Sequence, residues 1–192
     1  MSIQNKIYNI SPVWMQNILV SAYGYGWKKK RYGGIFKEQY RAAKDREFFT
    51  AFQWEDYQNE QLKKILLHAF HHVPYYQKKF KEQGITETIL NHIDIYTLDK
   101  IPVTEKEDVR VFGTTTMMAS IREKGGAFFS SSGSTGTPVQ ICYSDNMHQR
   151  WFALNEARIK NWAGVNKNMS RGMIGGRRVV TSADNKPPFF RY

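Results

Sequence analysis

The residues best suited to chemistry lie in one stretch, Ser130 through Pro138, which reads SSSGSTGTP. Its hydroxyls, two glycines and closing proline describe a flexible, donor-rich loop and neither a helix nor a strand. Gly133 and Gly136 let backbone N–H groups approach an anion closely and take up positive φ. Ser131, Ser132, Ser134 and Thr135 add hydroxyl donors, so the loop is equipped to hold phosphates. It is not a Walker A loop, because no Lys-Ser/Thr pair follows the glycines and a strand follows in place of a helix. The same composition also suits a solvated Ser/Gly hairpin loop.

Other groups invite weaker readings. His68 and His72 share a helix face at one-turn spacing, as a metal pair would, yet no Glu follows the first and no third ligand is near, which favours a packed or surface pair. Arg177 and Arg178 behind Gly175 and Gly176 suit a phosphate or carboxylate, a helix end, or solvent. Lys28 through Arg31 is a basic run beside Tyr23, Tyr25 and Trp27, which fits an anionic membrane or nucleic acid, or a solvated loop. The lone cysteine, Cys142, excludes an intrachain disulfide and is expected to pack in the core.

The elements that position the loop follow from periodicity. Residues 126–129 read as a short buried strand, and Val139, Ile141 and Tyr143 alternate with Gln140 and Cys142, so the loop joins two strands. Ser144 is placed to cap a helix of about five turns in which Met147, Trp151, Leu154, Arg158 and Trp162 are near-neighbours, closed by Gly164. Upstream, Leu62, Ile65, Leu66, Ala69, Phe70 and Val73 make one apolar stripe of a helix beginning near Gln61 and ending at Pro74. A second short helix runs from Tyr75 to Gly84, and Thr104 with Glu107 has the form of a capping box for a third that ends before Gly113. Ile10 to Ser21 makes a short helix with Pro12 at its first turn, broken by the glycines of Tyr23 to Trp27. Ile174 belongs to a strand candidate, and the closing FFRY wants a partner surface.

The chain has 192 residues, 41% hydrophobic and 15% aromatic, enough for one sizeable core. A net charge of +11 favours polyanionic partners such as ATP, acidic lipid or nucleic acid. No secretory signal is apparent and no early stretch is apolar enough to span a membrane, so the expectation is a soluble, cytoplasmic protein. The reading divides the chain into a basic and aromatic segment (1–31), a helix-rich part (32–124) and a strand-loop-strand-helix region (125–192), together one α/β domain.

The run SSGSTGTP resembles the phosphate-binding signature of the adenylate-forming superfamily. Residues 66–76 (LLHAFHHVPYY), 101–110 (IPVTEKEDVR) and 151–165 (WFALNEARIKNWAGV), with MIGGRRV from Met173, are similar to its phenylacetate-coenzyme A ligase branch and to the capsular-polysaccharide relatives of that branch. The resemblance runs from about Tyr32 to the last residue. It implies an AMP-forming ligase: a carboxylate attacks the α-phosphate of Mg-ATP, an acyl-adenylate and pyrophosphate form, and a thiol, with coenzyme A one candidate, or another acceptor takes the acyl group. By the same pattern Ser131, Ser132, Gly133, Ser134, Thr135 and Gly136 steady the departing phosphates, with Mg2+ beside them. Many members place a lysine shortly after the loop's proline, where this chain has Val139-Gln140. The family's adenine and ribose motifs and its C-terminal lysine have no counterpart here. The expectation is therefore the front portion of such an enzyme, inactive alone unless a separate chain supplies the remainder. The alternative is a non-catalytic basic protein that holds an anionic membrane or nucleic acid through the Lys28 to Arg31 cluster.

Overall fold

The computed structural model describes residues 8, 10–123, 125–131 and 138–169. The first long element, α1 (Val13–Tyr32), starts on Pro12, whose φ of −64° suits a helix entry. Against the expectation of a break at Tyr23 to Trp27, the helix runs straight through Gly24 and Gly26 and takes in the basic cluster. Two interior glycines cost about 1 kcal/mol each. Tertiary packing outweighs that cost: Trp27 sits edge-on to His148, and Tyr32 edge-on to Phe152, on a helix far along the chain. Lys29, Lys30 and Arg31 fall in the last turn, where the helix dipole favours cations, and Lys30 pairs with Asp145 at 3.0 Å.

A two-glycine turn leads from α1 into α2 (Phe36–Asp45). Gln149 clasps this turn: its Oε1 accepts the Ile35 N–H at 2.9 Å and its Nε2 donates to the Lys30 carbonyl at 3.2 Å. Gly34 stands there at φ 47°, and a Cβ on it would lie 2.4 Å from Gln149 Oε1, so no other residue fits without opening the clasp. α2 buries Phe36 and Ala43 against α7 (Asp145–Asn155), which returns the small residues Ala153 and, just beyond, Ala157.

α3 (Ala51–His72) begins ten residues before Gln61, the start expected from the apolar stripe. Its first turns, AFQWEDYQNE, lack a regular apolar period, and the start is set instead by Thr50, whose side chain and that of Gln53 form a capping box. Pro74 then opens α4 (Pro74–Glu82) at the position where its missing N–H is harmless. With α5 (Glu87–Asn91) these helices enclose a core of Leu66, Phe80, Ile85, Leu90 and Ile93, onto which Leu62, Phe70, Tyr76 and Ile101 pack. Ile65, assigned to the same stripe, faces out.

In α6 (Lys106–Phe112) the cap is Glu105 with Asp108, one residue later than the Thr104–Glu107 pair. The Thr104 hydroxyl is committed elsewhere, 3.2 Å from Tyr76 Oη. Asp108 also accepts the Tyr75 hydroxyl at 2.7 Å, while Lys79 donates to Tyr75 Oη and to the Val103 carbonyl. That lock fastens α4 to α6. The Tyr75 hydrogen bond, foremost, holds the Asp108 carboxyl below its usual range.

Past α6 the chain reaches the only sheet among the described residues, an antiparallel pair β1 (Ala127–Ser130) and β2 (Gln140–Tyr143). Ser144 caps α7 by accepting the Met147 N–H at 3.0 Å, as its position predicts. A π-helical turn, Glu156–Lys160, extends α7, and the chain turns at Gly164 with φ 72°. The face carrying Met147, Trp151, Leu154 and Trp162 is largely exposed; the buried face carries Gln149, Ala153 and Glu156. The fold is thus helix-rich α/β with one short hairpin.

Candidate functional site

The hairpin holds both ends of the Ser/Gly stretch. Its register pairs Ala127 with Tyr143, Phe128 with Cys142, Phe129 with Ile141 and Ser130 with Gln140. Beyond the last pair, the Ser131 N–H donates to the Val139 carbonyl at 2.9 Å, and the Val139 N–H donates to Ser131 Oγ at 3.0 Å. Ser131 therefore closes the root of the loop with its side chain as well as its backbone. Its hydroxyl proton is still available to a ligand. Ser132, Gly133, Ser134, Thr135 and Gly136 lie outside the described residues, as do Ile174, Gly175 to Arg178 and the final FFRY.

The side chains of a strand alternate, and the two faces of this hairpin have different surroundings. Phe129 and Tyr143 point to α7, where His148 meets both rings at 5.4 and 5.5 Å and Phe152 lies behind it. Phe128 and Cys142 point to a cavity of about 830 Å3, walled also by Ile65, His68, Met117 and Arg150. Cys142 is half-buried there. The His68 and His72 rings lie tilted at 51° to each other with centroids 5.2 Å apart, and no group of three or more His, Cys, Asp or Glu is gathered among the described residues.

The corner from β2 into α7 is fixed electrostatically. Glu123 accepts the Ser144 hydroxyl at 2.5 Å and lies 3.3 Å from Arg150, and the Ser144 bond, foremost, lowers its pKa. Opposite it Gly125 has φ 73°, and a Cβ would meet Asp145 Oδ2, so the entry to β1 also requires glycine.

His148 gives this scaffold a sensitivity to pH just below neutrality. Burial among the rings, then the charges of Lys30 and Arg31, push its pKa below the ordinary 6.5, with Asp145 opposing them. The folded chain therefore resists a proton that the unfolded chain accepts, so stability is lost as pH falls through about 6.5 and levels off below the folded pKa. Melting temperatures measured from about pH 7.5 to about 5.5 are expected to fall in the wild type. The same series on His148→Phe is expected to be flatter, and an equal slope would remove His148 as the cause.

Nothing in the sequence singled out His148 or Gln149. A His four residues before a Phe on one helix is a faint signal of ring packing, and the partner turn of Gln149 lies more than a hundred residues away.

No family model matches the chain. The chain is 25% identical over 188 residues to Protein CapK of Staphylococcus aureus, a match that takes in 98% of this chain and 39% of CapK. It is 37% identical over 107 residues to a phenylacetate-coenzyme A ligase of Aromatoleum evansii, covering 56% of this chain and 24% of the ligase. A ligase of the same name from Thermus thermophilus is 30% identical over 112 residues, 58% of this chain and 24% of that enzyme. The chain thus spans about two fifths of CapK and about a quarter of each ligase.

Proposed function

We propose that this chain carries the phosphate-binding part of an ATP-dependent carboxylate-adenylating ligase. A carboxylate oxygen bonds to the α-phosphorus of ATP, the bond from that phosphorus to the bridging oxygen of the β-phosphate breaks, and an acyl-adenylate and pyrophosphate result. Ser131, Ser132, Gly133, Ser134, Thr135 and Gly136 act on the leaving side: their backbone N–H and hydroxyl donors take up charge that grows on the β and γ phosphates. Mg2+ would share that charge, and coenzyme A is the candidate acceptor of the acyl group. Acting alone, the chain is expected to turn over ATP weakly or not at all.

The observation that supports this reading most is the closed hairpin root. Ser131 and Val139 bring the ends of a glycine- and hydroxyl-rich segment together at the end of an antiparallel strand pair. The likeness to phenylacetate-coenzyme A ligases makes the activity specific, and the likeness to CapK, which spans nearly the whole chain, favours that capsule-type branch. Among the described residues no helix is long and apolar enough to cross a membrane, and a cytoplasmic ATP-using enzyme is part of the proposal. The test is thermal melting with and without magnesium pyrophosphate, wild type beside Ser134→Ala, Thr135→Ala. Stabilisation of the wild type alone is expected; equal stabilisation of both, or of neither, contradicts the loop's role.

A further inference from the structure

A second cavity, of about 640 Å3, lies where three distant parts of the chain meet. α1 contributes Tyr23, Trp27, Lys28 and Arg31, β1 contributes Phe129, and the turn after Gly164 contributes Lys167. No carboxylate lines it among the described residues. Neither Lys28, Arg31 nor Lys167 forms an ion pair there with a described carboxylate, while neighbouring Lys30 and Lys160 do. The Arg31 guanidinium is held between rings, 5.0 Å from the Trp27 centroid and 4.8 Å from that of Phe152, and its Nε has no hydrogen-bond partner among the described residues. Its charge is thus positioned by aromatic faces and left uncompensated. Lys167 reaches the edge of the same wall, 5.7 Å over the Tyr32 ring.

Three cations without an acid attract an anion, and exposed rings beside them attract a flat one. Tyr23 is 68% exposed on this wall. The volume falls in the range of small-molecule sites, about 300–1,000 Å3, and is far larger than a bare phosphate needs. We propose that this cavity binds a planar aromatic molecule bearing a phosphate or carboxylate, its ring against Trp27 and Tyr23 and its anionic end among Lys28, Arg31 and Lys167. None of the described residues of the Ser/Gly loop lines the cavity, and the proposal does not rest on the loop's role.

Calorimetric titration of the 192-residue chain tests it with three probes: AMP, naphthalene-1-carboxylate and inorganic phosphate. At least one ring-bearing anion is expected to bind about tenfold or more tighter than phosphate, and which one does so tells a nucleotide from an aromatic acid. Lys28→Gln with Lys167→Gln is expected to weaken that binding by about tenfold, and Ser134→Ala with Thr135→Ala to leave it unchanged. Both lysines are on the surface, so the fold is expected to survive; Tyr23→Ala, which removes an exposed ring, is an independent second variant. The proposal fails if neither ring-bearing anion binds, if phosphate alone binds as well, if the lysine and Tyr23 variants bind like wild type, or if the loop variant abolishes binding.

Discussion

Phe80→Ala is expected to lower the unfolding free energy by about 3–5 kcal/mol, a large share of the roughly 5–15 kcal/mol that holds a domain together. Phe80 is 1% exposed and stands at the junction of α3, α4 and α5. Its ring stacks at 6.4 Å on Phe70 and lies tilted against Tyr76 at 5.8 Å, and Leu66, Ile85, Leu90 and Ile93 complete its surroundings. The Phe80 carbonyl also accepts the Ile85 N–H at 2.9 Å, so the segment that leaves α4 is folded back onto the ring. A truncated side chain leaves a void that neighbouring helices close only in part. Urea unfolding followed by circular dichroism reads the effect. Phe48→Ala, at a ring that is 84% exposed, is the matched control and is expected to change stability by about 0.5 kcal/mol or less.

The paired substitution Ser134→Ala, Thr135→Ala is expected to remove the whole of the stabilisation that magnesium pyrophosphate confers. A ligand that binds only the folded chain stabilises it by about 2.7 kcal/mol at a hundredfold excess over Kd. For a chain of this size that corresponds to a rise in melting temperature of about 5–10 °C. Ser131 is the wrong residue to replace for this purpose, because its Oγ accepts the Val139 N–H and its loss would loosen the hairpin as well as the site. Without ligand the paired variant is expected to melt with the wild type, which separates loss of binding from loss of fold. A Lys28→Gln variant is expected to keep the full shift, since its side chain borders the other cavity.

Local signals in the sequence match the structure where one residue type decides the outcome. Ser144 caps α7, Pro74 separates α3 from α4, and alternation about Val139 to Tyr143 marks β2. Signals failed where tertiary packing overrode them. Gly24 and Gly26 predict a break, but docking of Trp27 and Tyr32 on α7 carries α1 through them. The start of α3 is polar and aromatic and lacks an apolar period, so the helix was expected only from Gln61 and the capping pair Thr50 and Gln53 stands outside that expectation. By residue type Thr104 is a better cap than Glu105, and the engagement of the Thr104 hydroxyl with Tyr76 accompanies the shift of the cap by one residue.

The candidate site divides in the same way. The proposed phosphate loop is contiguous in sequence, and the residue types proposed for it stand in nine adjacent letters, whereas the closure of its root by Ser131 Oγ depends on the hairpin register. The second cavity joins Lys28 to Phe129 and Lys167, residues with no local relation, and a basic run seen alone reads only as surface.

The central claim is that backbone N–H groups of the loop take hold of phosphate, and amide hydrogen exchange with and without magnesium pyrophosphate tests it most directly. Exchange slowed by about tenfold or more is expected in peptides covering residues 131–137, with α3 unchanged. Exchange in those peptides that is the same with and without pyrophosphate, from a chain that melts cooperatively, would contradict it.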